Sequence, residues 1–539
     1  MFDQLENVSM RNFEKPGRSL AFARNGMAAT SHAAATLAAV NVLAADGNAM
    51  DAAIAACAVQ CVVEPGSTGV GGDCFALYSR GGTDDIIAYD GSGWAPAAAS
   101  VERLQKLGVD TIERHSPHAV TVPGAVHAWT TLHREHGRLP LRDVFAQAIR
   151  YAEDGYAITP RSAWDWAQEA GTLTRDAEAR ATMLVKGAAP REGSVHRQPH
   201  LANTLRLVAE EGRDGFYCGP LAANIVAHLN AQGGLHSLDD FADYHGEYVT
   251  PIRASFRGYD VVECPPGGQG VIALMILKIL EKCAADADPL DADRLHREIE
   301  ASKLAYSMRD AMLGDPRHGK VDVDWLLSDA LADELRGRID LTRALPVAPA
   351  LTPAEHKDTV YITVVDKDRN CVSFINSLFH PFGSGLMAPE SGVLLHNRGQ
   401  SFVVEQGHPN AVGPRKRPMH TIIPGMITQG GRVRMGFGVM GGHYQAMGHA
   451  HFLSKVLHYG MDIQSAMDLP RIFPRPGTDS VDVEATMPAS VCAALADRGF
   501  RFSVPSTAIG GSQAIWIDWD EGVLIGASDH RKDGCALGY

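Results

Sequence analysis

Residues 359–385 read TVYITVVDKDRNCVSFINSLFHPFGSG. Two β-branched runs flank Asp366-Lys367-Asp368-Arg369-Asn370, a turn-forming composition, so the stretch predicts an antiparallel hairpin. Just upstream, PVAPALTPAEHKD (346–358) is polar and Pro-rich and predicts an exposed, flexible connection. It delivers Thr359 straight into the first strand. A cut before Thr359 would set a hydroxyl beside a free α-amine, whose ordinary pKa is about 7.7–8.0, so one residue would supply both nucleophile and general base. A Thr at a strand start is equally an ordinary strand residue. Composition leaves both readings open.

Downstream, GVLLHN (392–397), TIIPGMIT (421–428) and RVRMGFG (432–438) predict further strands, then a helix spans roughly 445–458. SQAIWID (512–518) and GVLIGAS (522–528) predict a closing hairpin. Upstream, residues 32–64 are Ala- and Val-rich and helical in pattern, broken at Gly47-Asn48. A glycine-rich turn, Glu64–Gly72, leads into the strands CFALYS (74–79) and DIIAYD (85–90). Helical patterns fill roughly 140–235, LPLRDVFAQAIRYAEDG (139–155) being the clearest. Residues 247–263 return to strand, and PPGGQG then opens the apolar helix VIALMILKILEKC (271–283). Helices first and sheet later make the chain α+β.

The whole chain has 539 residues, more than one hydrophobic core normally serves. Its 45% apolar and 21% charged residues describe an ordinary globular protein. A net charge of −14 disfavours nucleic acid as a partner, because phosphate recognition needs a basic face. The basic run Arg415-Lys416-Arg417 reads as a solvated loop. No stretch is long and apolar enough to cross a membrane, and no secretory h-region occurs, which predicts a cytoplasmic protein. The nine cysteines are scattered without a C-x-x-C pair, as expected of reduced thiols.

Gly436-Phe437-Gly438-Val439-Met440-Gly441 matches G-x-G-x-x-G, but no second parallel strand follows its helix, so a dinucleotide site is rejected. Histidines 318, 356, 380, 396, 420 and 443 show no ligand spacing, so neither a metal nor a cofactor is expected.

Several blocks together resemble the γ-glutamyltransferases, self-cleaving N-terminal-nucleophile hydrolases. Residues 359–385 followed by PESGVLLHN (389–397) resemble the family's nucleophile region. GNAMDAAIAACAVQCVVEPGSTGVGGDCFALY (47–78), PGAVHAW (123–129), GFYCGPLAANI (215–225), GYDVVECPPGGQGVIAL (258–274) and GGSQAIWID (510–518) with GASDHR (526–531) fall in family order. The resemblance implies a four-layer αββα sandwich, with a helix-rich large subunit, 1–358, and a sheet-rich small subunit, 359–539. Thr359 would be the nucleophile of both self-cleavage and acylation. Ser377 stands where the family has a second Thr. Gly441 and Gly442 match the oxyanion-hole glycines, where each donor is worth about 3 kcal/mol.

The substrate pocket departs from the family pattern. Where typical members hold the glutamyl α-carboxylate with an arginine, DGSGWAP places Ser92; where they use an Asn, this chain has Phe379. Their acidic pair gives way to HNRGQSF, with Arg398 and Ser401, and their Ser-Ser pair to His420-Thr421. The acylation machinery is kept while the α-amino acid clamp is dismantled. Arg398 could fork onto a carboxylate lacking an α-amine, which resembles the oxamate amidohydrolase branch. The expected function is therefore self-processing hydrolysis of a small carboxylate-bearing amide. A γ-glutamyltransferase or glutathione hydrolase is the alternative, and a non-catalytic binding protein on the same fold is the alternative of another class. Partners would be the amide and the two subunits of one precursor, with a homo-oligomer of that pair left open.

Overall fold

The computed structural model describes residues 17–284, 288–347 and 359–539. Asp358, His356 and most of the Pro-rich connection lie outside these residues. Two seven-stranded sheets, antiparallel at every pairing, form the centre. One runs, edge to edge, through Ala21–Ala23, Val523–Ser528, Gly511–Asp518, Arg432–Met440, Gly425–Gln429, Tyr259–Glu263 and Ile252–Phe256. The other runs through Cys535–Gly538, Met27–Thr30, Val360–Val365, Cys371–Ser377, Asp73–Ser79, Ile86–Gly91 and Glu247–Val249.

Side-chain alternation makes the layers. From the Val360 strand, Tyr361 and Val365 enter a core between the sheets with Phe75, Ile375, Met426, Met440 and Ile515. Ile362 and Val364 point the other way, onto helices Ala33–Ala44 and Ala49–Val63. On the far face of the first sheet, Met435, Phe437 and Val439 meet helices Gly270–Glu281, Ala292–Met312 and Tyr444–Leu457. The order is helix, sheet, sheet, helix. Both faces of each central strand are covered, which is why the 359–385 runs are apolar without alternation.

Local chemistry sets the element ends. Helix Ala49–Val63, buried along its whole length, starts with a capping box between Asn48 and Asp51. The glycine turn is a packing requirement: a Cβ on Gly71 would sit 2.3 Å from the Leu394 carbonyl, and one on Gly72 would sit 2.5 Å from that of Ser377. One expected strand is absent and another starts late. GVLLHN forms only isolated bridges, Leu395 to Gly71 and Leu394 to Met387. In TIIPGMIT the strand begins at Gly425, because Pro424 has no N–H to give a ladder. Both segments are buried all the same.

Candidate active site

Thr359 stands one residue before the Val360 strand and faces Ser377 at the end of the neighbouring strand, since Val360 pairs with Asn376. Their hydroxyl oxygens are 3.1 Å apart, and both residues are buried. The Ser377 hydroxyl also accepts the Phe379 N–H at 2.9 Å, closing a tight turn in which Phe379 has φ 79°. A bulky residue held at positive φ is strained and must be held there by its surroundings. The Arg398 guanidinium, 3.7 Å from the Phe379 ring centroid, supplies one such contact.

The oxyanion-hole candidates follow a central strand of the opposite sheet. A Cβ on Gly438 would meet the Tyr361 ring at 2.3 Å, and one on Gly436 the Thr363 hydroxyl at 2.6 Å. The two strands therefore cross in opposite senses, which directs the Thr359 end of one toward the Met440 end of the other. Gly441 and Gly442 have φ 123° and 59°, conformations that only glycine adopts without strain. They precede the 14-residue helix Tyr444–Leu457, whose N-terminal end favours negative charge. Gln269 ties this turn to the pocket floor, its Nε2 donating to the carbonyls of Gly442 (2.9 Å) and Thr421 (2.8 Å). Arg309 donates from Nη1 to Gln269 Oε1 at 3.1 Å and sits 2.8 Å from His443 Nδ1.

Arg398 is 1% exposed. Its Nη1 donates to Thr421 Oγ1 at 3.0 Å, while Nε and Nη2 meet no acceptor among the described residues. Burial pushes the guanidinium down to about 9, against the pull of the Asp73 charge. A buried cation with two open donors is a site short of an anion. His420 places Nε2 3.0 Å from Asp73 Oδ2, and its Nδ1 accepts weakly from the Ile422 N–H. Burial, then the Arg398 charge, pushes His420 to about 4, so the ring is neutral.

The remaining expected pocket residues divide. Phe379 and Thr421 touch Arg398. Ser401 is buried, its hydroxyl without a partner among the described residues and its carbonyl taken by Asn410. Ser92 is also buried but turns its hydroxyl to Asp90 Oδ1 at 2.6 Å, so it offers the pocket no charge. Sequence reasoning passed over Asp73, Gln269 and Arg309. The only signal for Asp73 was an acid opening an apolar strand directly after Gly71-Gly72.

A Thr opening a central strand of a helix–sheet–sheet–helix sandwich is the arrangement of the N-terminal-nucleophile hydrolase class. The gamma-glutamyltranspeptidase family model matches residues 35–539, and the chain belongs to that family. It is similar to the glutathione hydrolase-like YwrD proenzyme of Bacillus subtilis, 34% identical over 95% of this chain and 98% of that one. It is also similar to the oxamate amidohydrolase proenzyme of Klebsiella pneumoniae, 36% identical over 96% and 98%. Among solved structures, cephalosporin acylase from Bacillus halodurans superposes with a TM-score of 0.92 at 38% identity, covering 99% of both chains. The chain is thus an enzyme of the hydrolase and acyltransferase kind. Among the described residues no helix is long and apolar enough to cross a membrane.

Proposed function

We propose that the chain cuts itself before Thr359 and then hydrolyses a small amide that carries a carboxylate, of the oxamate type. The observation that carries this reading is Arg398, buried with Nε and Nη2 open. In the intact chain the Thr359 nitrogen belongs to a peptide bond; cleavage frees it as an amine. That amine takes the hydroxyl proton as Oγ attacks the amide carbonyl. The oxyanion then faces the Gly441 and Gly442 N–H groups. The leaving amine takes the proton from the Thr359 ammonium, giving an acyl ester, and water attacks that ester by the same route. Ser377, 3.1 Å from the nucleophile, orients its hydroxyl. The substrate carboxylate occupies the open fork of Arg398, which fixes the carbonyl relative to Thr359.

A γ-glutamyl substrate is the second reading, favoured by the glutathione hydrolase-like relative. Its α-ammonium needs an anion. Asp73, the buried carboxylate that acts on Arg398, already faces two backbone N–H groups and two imidazoles. The test is a kinetic panel of oxamate, glutaryl and γ-glutamyl amides on the matured protein, with Arg398→Ala alongside. Oxamate-type turnover should exceed γ-glutamyl turnover by roughly a hundredfold, as two missing charged hydrogen bonds imply. Arg398→Ala should raise KM for oxamate and leave self-cleavage intact. Fast γ-glutamyl turnover would promote the second reading.

A further inference from the structure

We propose that Asp73 is the positioning residue of carboxylate recognition: it clasps the two irregular segments that carry Arg398 and Thr421, and supplies their counter-charge without touching the substrate. The inference rests on the carboxylate-amide reading above. Asp73 opens the strand Asp73–Ser79 and is fully buried. Its Oδ1 accepts the N–H groups of Gly93 (2.9 Å) and Gly124 (3.2 Å), which anchor the carboxylate to the scaffold. Its Oδ2 is hydrogen-bonded to His420 Nε2 at 3.0 Å and stands 3.3 Å from His396 Nδ1, an ion-pair distance without hydrogen-bond geometry, the other nitrogen of that ring bonding the Thr121 carbonyl at 2.9 Å.

Each imidazole belongs to a segment that the sheets do not hold. His396 lies two residues before Arg398, and His420 is the neighbour of Thr421. Bonds outside the sheet ladders hold these segments, among them His396 N–H to Gly71, Asn397 N–H to Leu378, His420 N–H to Gly267, Gln269 N–H to His420 and Gln269 Nε2 to the Thr421 carbonyl. Arg398 and Thr421 meet each other at 3.0 Å, so their separation depends on where these two segments stand. One carboxylate oxygen bonds the His420 segment and faces the imidazole of the other.

The same arrangement explains why the fork stays open. A carboxylate bonded directly to Arg398 would occupy the donors that the substrate needs. Asp73 acts from behind the imidazoles instead: its charge favours the guanidinium, while Nε and Nη2 remain free. Burial pushes the Asp73 carboxyl up, and its contacts with His396 and His420 outweigh burial, holding it well below the usual carboxylate range. It is therefore a fixed anion. His420 is neutral and does not compete with Arg398 as a second cation.

The experiment compares oxamate with oxamide, which has the same scissile amide but no carboxylate, on matured Asp73→Asn enzyme. Self-cleavage should proceed. KM for oxamate should rise about tenfold or more with kcat changed less than about threefold, while oxamide hydrolysis stays as in the parent, so preference for the charged substrate collapses. An unchanged oxamate KM overturns the proposal. Equal losses on both substrates also overturn it, because they mark a residue that merely holds the fold. If Asp73→Asn does not fold, His420→Gln, which releases only the Thr421 side, should show the same selective rise in KM, and equal losses there overturn the proposal too. Arg398→Ala separates the two levels. Unchanged oxamate KM in that variant sinks the carboxylate reading itself, whereas an effect at Arg398 with none at Asp73 sinks only this inference.

Discussion

Thr359 and Ser377 face one another at the open end of an antiparallel ladder, and the proposed mechanism gives their hydroxyls separate tasks. Only Thr359 can lie next to a newly freed amine. Thr359→Ala is therefore expected to remain one chain on a denaturing gel, while the parent gives two, the smaller beginning Thr-Val-Tyr-Ile. A split Ala variant, or a different N-terminus on the small fragment, would remove Thr359 from the mechanism. Arg398→Lys tests the clamp more sharply than Ala does. The ammonium keeps the charge but loses the planar fork and the stacking on Phe379. KM for oxamate should still rise by about tenfold, and recovery of parental KM would show that charge alone suffices. Thr359 and Arg398 could be singled out in sequence, because one matches and the other departs from a motif of known spacing. Asp73 was not, because its partners His396 and His420 lie more than 300 residues away and meet it only in the fold.

At the scale of elements, the G-x-G-x-x-G run shows what a motif means once its neighbours are known. Gly436 and Gly438 sit where a strand of one sheet crosses the strand of the other that follows Thr359. A side chain at 438 would enter the Tyr361 ring, which is fully buried and bonded through its hydroxyl to Ser373 at 2.7 Å. Gly438→Ala should destabilise by about 1–3 kcal/mol, as overpacking does, and should slow self-cleavage because Tyr361 is two residues from Thr359. Thermal melting and the fraction cut over time measure the two effects. A variant that melts and cuts like the parent would show that the sheets can separate at no cost. The hairpin at 359–385 was readable because turn and strands are contiguous. GVLLHN and TIIP were misread because β-branched composition reports burial as well as strand, and these loops are buried without ladder partners.

Over the whole molecule, the expected subunit boundary at 358 is not a domain boundary. Seven of the fourteen central strands precede it. Five strand pairings cross it, among them Met27–Thr30 with Val360–Val365 and Asp73–Ser79 with Cys371–Ser377. Fragments made by a cut would stay interlocked, and would melt together. That single structure carries a pH dependence. His32, His196, His236 and His420 are buried, and burial, the leading cause at each, pushes them from 6.5 to about 4. Unfolding returns them to water, where they bind protons at higher pH than the folded protein does. The stability they represent is fully present above pH 6.5 and is lost as pH falls from there toward 4, by up to about 3 kcal/mol for each histidine. Glu263, Glu300 and Asp366, whose carboxyls burial pushes up, work in the opposite sense over the acid part of that window. The four histidines outweigh them, since each of these carboxyls keeps hydrogen-bond or charge partners that hold its rise in check. Melting temperature followed from pH 8 to pH 4 should be level above about 7 and should fall steeply below 6.5, in one transition shared by both fragments. A flat profile across that window would mean that the buried imidazoles accept protons without unfolding.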